Sequence, residues 1–129
     1  MTATEITSKM GVVHVELQNL EVRIQHTQAD LDKAIVTEVT TKEGLEVAKK
    51  RRKDCKDKDL VNRDEYLATC KDVNTLENFL EQAKSHKSVI QAALLSVKKM
   101  QKLYQDSYGA LAKQLAKAEA NVSGLHGSQ

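Results

Sequence analysis

The sequence predicts an all-α fold, two long helices in an antiparallel coiled-coil hairpin, assembled into a larger helical bundle or oligomer. Three observations carry this. First, sixteen positions from Val73 to Leu125 follow alternating steps of three and four residues, and only Lys87 and Gln101 among them are polar. A stripe so long and narrow is the seam of a coiled coil rather than the face of a compact globular helix. Second, a matching track runs through the first half of the chain, with nine apolar residues in twelve positions between Met10 and Ala48. Third, the 129 residues include no proline, no tryptophan and one phenylalanine. Nothing therefore breaks long helices, and few aromatics are present to fill a globular core.

Helix 1 is expected over about 4–53. Thr2 and Glu5 stand three apart, the spacing at which each side chain satisfies the other's exposed backbone donor. The track is interrupted by Thr27, Glu38 and Thr41. β-Branched residues and Gly44 lower the helix propensity of 36–44, which predicts a bend or local irregularity there rather than a break. The basic run 49–53 closes the helix, where positive charge suits the C-terminal dipole. Residues 54–61 read as the turn. Asn62 follows as a cap with Glu65 as its partner, and Val61 and Tyr66 hold the flanking apolar positions. Helix 2 is expected over about 63–122, stopped by Ser123-Gly124, with 123–129 a short tail. Residues 1–129 are read as one helical-hairpin domain.

A turn centred near residues 57–58 would place each position i opposite roughly 115 − i. Leu45 then faces the region of Cys70, Leu31 faces Lys84 and Met10 faces Gln105. Beyond that point helix 1 runs out, leaving Leu111, Leu115, Val122 and Leu125 in line without an intramolecular partner. Burying a leucine stabilises by about 1.5–3 kcal/mol, so such a surplus is expected to meet another chain. Helix 1 also carries a second set of apolar residues off the seam. Val15, Val22, Ala29 and Val36 recur every seven residues, flanked by Val12 and Val47. On helix 2, Phe79, Ala93 and Met100 widen the seam. A lone hairpin buries one stripe per helix, so Val15, Val22 and Val36 join the overhang as candidate self-association residues. Leu115→Asp is accordingly expected to damage association, and Leu80→Asp or Leu94→Asp to unfold the hairpin.

Charge is concentrated at the turn. Residues 49–63 hold eight basic and three acidic groups, against a net charge of +2 for the whole chain. Lys49, Lys50, Arg51, Arg52, Lys53, Lys56, Lys58 and Arg63 could contact the phosphates of a nucleic acid, with affinity that falls as salt rises. Asp54, Asp57 and Asp59 oppose that, and the run contains no interleaved aromatic on which a base could stack. A solvated helix end that complements the dipole is the simpler expectation. The layout of a basic first helix, a charged turn and a longer second helix resembles that of phage recombination-mediator proteins. The likeness is of layout alone and carries no site residues. It implies a small nucleic-acid-associated factor as the second reading of function.

The remaining polar residues show no catalytic pattern. The four histidines, His14, His26, His86 and His126, include no pair at metal-binding spacing; His26 and His86 could approach across the hairpin without completing a site. Cys55 lies among cations, which favours thiolate reactivity, while Cys70 beside the seam is expected to pack; both are read as inert reduced thiols. Lys87, Gln101 and Glu38, polar on apolar tracks, read as devices that set register and oligomer number. No phosphate loop, nucleophile elbow or catalytic carboxylate pair is present, so no enzyme, cofactor, metal or small-molecule substrate is expected. The N-terminus lacks an apolar h-region, and no run approaches the roughly 18 apolar residues of a membrane span. A soluble, cytoplasmic protein is expected, or a virion component. The leading reading is a non-enzymatic assembly or adaptor protein acting through coiled-coil contacts, as a homo-oligomer or within a larger protein complex. A helical inhibitor acting by steric occlusion is a third.

Overall fold

The computed structural model describes residues 1–57 and 63–127, with side chains placed for 1–56 and 63–122. Two helices, α1 (Ala3–Asp57) and α2 (Arg63–Gly127), pack against each other as an antiparallel hairpin, with no strand among the described residues. Thr2 caps α1 as its spacing implies: its hydroxyl oxygen accepts from the Glu5 backbone N–H at 3.2 Å. Asp64 and Glu65 in the first turn of α2 complement the positive end of its dipole. The capping and staple roles expected of Asn62 and Val61 fall outside the described residues.

α1 passes through 36–44 without interruption. Thr37 and Thr41 direct their hydroxyls back onto the carbonyls of Lys33 and Thr37, at 3.0 and 2.7 Å, so these residues bond within the helix rather than competing with it. Both expected ends move outward. α1 continues four residues past 53, and α2 runs through Ser123-Gly124 to Gly127. A glycine stops a helix by entering the left-handed region, and no glycine among the described residues does so.

The seam is the one the spacing predicts, and it is longer. Every track position of α1 from Ile6 to Cys55 is buried or half-buried, as is every one of α2 from Tyr66 to Ala118. Contacts divide the chain into two compact units, Met1–Thr27 with Ala93–Gln129, and Gln28–Ala92. In the first, Leu20 is 2% exposed, and Ile6, Leu94 and Val97 are buried with it. In the second, Leu45, Ala48 and the fully enclosed Val73 form a cluster on which Leu76 and Leu80 pack.

The register differs from 115 − i. Gln101 donates to the Glu21 carboxylate at 2.9 Å, and Gln101 lies seven residues beyond Leu94, the partner expected for Glu21. In the other unit Lys87 reaches Glu38, where Glu77 was expected. The pairings are thus displaced by seven residues at Glu21 and by ten at Glu38, shifts that leave the seam pattern intact because both are sums of its three- and four-residue steps. The consequence falls on the expected overhang. Thr7, Met10, Gly11 and His14 face Tyr108 and Leu115 across one groove, and Ile6 faces Gln114, Lys117 and Ala118 across another. Leu111 and Leu115 are half-buried within the chain, so there is no leucine surplus at these positions.

Two predictions follow from this packing. Leu115→Asp should destabilise by about 2 kcal/mol and Leu94→Asp by about 3 kcal/mol, both seen as lower urea midpoints by circular dichroism, since each puts a charge into the seam. A Leu115→Asp chain as stable as wild type would contradict the register. A Cβ at Gly44 meets nothing within 4 Å, and its backbone is helical. Gly44→Ala should therefore raise stability by about 1 kcal/mol, and a fall in the melting temperature would contradict the uninterrupted helix.

Candidate functional site

Two polar features stand out from the seam, and the register explains both. The first is the partnering of the polar track residues. Glu38 is buried, 6% exposed, and its two carboxylate oxygens are taken by Lys87 of α2 and by Lys42 one turn along α1, the latter at 3.4 Å. The Lys87 hydrogen bond holds the Glu38 carboxyl below its ordinary value of 4.5; burial works the other way, and Lys42 adds to the lowering. Gln101 and Glu21 form the corresponding pair in the other unit. Among the described residues no buried side-chain nitrogen or oxygen lacks a hydrogen-bond partner.

The second feature is basic. α1 extends to Asp57, so Lys49, Arg52, Lys53 and Lys56 fall at i, i+3, i+4 and i+7 on one helix face. Together with Tyr66 of α2 they line a cavity of about 430 Å³. The other cations named from sequence go elsewhere. Arg51 shares a separate groove with Asp72, Lys50 and Arg63 are exposed outside the cavity lining, and Lys58 falls outside the described residues. Asp54 does not line the cavity. Lys49 meets Glu46 at 3.9 Å, a loose contact between exposed groups. The Tyr66 hydroxyl shares a hydrogen bond with Cys70, which raises the phenol above its ordinary value; the Cys70 charge and burial add to this, and Arg52 pulls it down.

Helix extension also places the cysteines. Cys55 lies on the α1 track, so it is buried as a seam residue, and its thiol donates to the Glu65 carboxylate at 3.9 Å. Cys70, expected to be the packed one, is the more open of the two, and both are free. His86 faces Asp30, Lys33 and Thr37 rather than His26, because the register is displaced. Among the described residues no three His, Cys, Asp or Glu side chains gather as a metal site. No described helix is long and apolar enough to cross a membrane.

Of the residues assigned to self-association, Val15, Val22 and Val36 are 53%, 49% and 63% exposed, and Val122 is also open to solvent. Leu111 and Leu115 are half-buried in the hairpin, and the Leu125 side chain lies outside the described residues. Sequence reasoning missed further open apolar residues on α2, Leu95, Leu103 and Val89 among them. Their signal was available: Val89, Ala93, Met100 and Leu103 follow three- and four-residue steps of their own through Ser96.

The Glu38 environment has a pH signature. A carboxyl held below its ordinary value contributes stability that is complete above about pH 4.5 and is lost as pH falls toward its folded value. The difference in urea midpoint between wild type and Glu38→Gln should be constant from neutral pH down to about 5 and shrink below it. A difference that does not change across that range would contradict the buried ion pair.

Comparison with known protein families, with curated proteins and with solved structures finds no match to this chain.

Proposed function

We propose that this chain is a non-enzymatic coiled-coil assembly protein that binds a second copy of itself through apolar helix faces lying outside the seam. One observation carries the reading: both helices leave large apolar residues exposed outside the seam, and on α1 Val15, Val22 and Val36 do so at multiples of the heptad.

The chemistry of that surface suits helix-to-helix packing. In the unit holding the chain ends, Val12, Val15 and Val22 of α1 and Leu95, Met100 and Leu103 of α2 are exposed. In the other unit, Val36, Val47, Phe79 and Val89 are exposed. Aliphatic side chains recurring at heptad spacing are the knobs of a further coiled-coil contact. A second copy presents the same residues in the same order, so a two-fold contact matches apolar face to apolar face. Leu111 and Leu115 drop out of this surface, and Val15, Val22, Val36 and Val122 remain in it.

Light scattering should give a multiple of 14.4 kDa that persists in high salt, because apolar burial is little screened. Val15→Glu combined with Val22→Glu should reduce the mass to that of one chain while the helical circular dichroism is kept. A wild-type monomer at tens of micromolar would overturn the proposal.

A further inference from the structure

The cavity between Lys49, Arg52, Lys53, Lys56 and Tyr66 has the make-up of a ligand site that the assembly reading leaves unused. Its cations lie on one face of α1 over a rise of about 10 Å from Lys49 to Lys56. That span exceeds what one phosphate occupies and fits neighbouring phosphates of one strand. The wall opposite is Tyr66, the aromatic that the basic run itself lacks. It arrives from α2 because the hairpin closes with Arg52 near its ring. Among the described residues no carboxylate lines the cavity, and Asp54, five residues from Lys49, falls on another face of α1.

From this juxtaposition we infer that the groove binds single-stranded nucleic acid, with neighbouring phosphates on Lys49, Arg52, Lys53 and Lys56 and one base stacked on Tyr66. Cations alone would serve duplex and single strand alike, because both present phosphates. An aromatic wall adds something only a single strand can use, for its bases are free to leave one another and stack on a side chain. The ligand class is therefore set by the pairing of the cation stripe with Tyr66, not by net charge.

The test is fluorescence anisotropy of the full chain with a labelled oligothymidylate and with a labelled duplex, over a salt series. Single-strand binding should weaken with salt at a slope of about −3 in log K against log salt, as four phosphate contacts require. The combined Lys49→Gln, Arg52→Gln, Lys53→Gln, Lys56→Gln variant should lose at least about tenfold more affinity than Lys50→Gln with Arg63→Gln, whose side chains lie outside the groove. Tyr66→Leu should weaken single-strand binding about tenfold and leave duplex binding unchanged. Helical circular dichroism confirms that each variant folds, and Tyr66→Phe, which keeps the ring, should restore affinity. No binding of wild type at low salt overturns the inference. So does an equal effect of the groove and control substitutions, or a Tyr66→Leu chain that binds the single strand like wild type. Preference for the duplex overturns it as well, in favour of a plain electrostatic contact.

Discussion

The ion pair between Glu38 and Lys87 is the interaction on which the remaining geometry rests. A heptad seam is nearly indifferent to sliding by seven residues, since apolar residues meet apolar residues in either alignment. A buried carboxylate is not indifferent. Without Lys87 it would keep only the longer contact to the exposed Lys42 and lose the shorter of its two cation contacts. Sliding the helices back to the 115 − i alignment would set Glu38 against Glu77 and separate Glu21 from Gln101. The observed register gives both carboxylates a donor from α2. The stability such a pair adds over an apolar one is small, but its discrimination between alignments is large. Register in turn decides which side chains of α2 are covered by the N-terminal part of α1, and which apolar residues stay open.

This separates two kinds of apolar residue that look alike in the sequence. Leu115 and Val122 lie on the same track, yet Leu115 is half-buried against Thr7–His14 while Val122 is 50% exposed. Conversely, Val15 and Val22 lie off the track and remain open to solvent, where the proposed assembly would use them. Assembly is therefore assigned to faces rather than to an overhang. The basic groove depends on the same closure, because Tyr66 reaches the Lys49–Lys56 face only from the start of α2.

The fold class and the seam were legible because coiled-coil helices write their contacts into spacing. The Val73–Ala118 track appears in the structure residue for residue, and the Thr2 cap is where the capping spacing put it. Register was not read, because it was inferred from the turn. Lengthening α1 by four residues moves the turn, and every pairing moves with it. A better signal was present: Glu38 is the one carboxylate on the α1 track and Lys87 the one cation on the α2 track. Matching them first would have placed the helices close to their observed alignment. The groove was half legible. The 3–4 spacing of Lys49, Arg52, Lys53 and Lys56 could be read locally, but Tyr66 comes from another helix and no local pattern announces it.

The central claim is that Glu38 lies against Lys87 and thereby selects the register. Double-mutant cycles in urea test it directly, pairing Glu38→Gln with Lys87→Gln and, separately, with Glu77→Gln. The account predicts that the first pair is non-additive, the double variant losing less than the sum of the singles, and that the second pair is additive. Additive losses at Glu38 and Lys87, with coupling at Glu77 instead, would show that the helices lie in the 115 − i alignment.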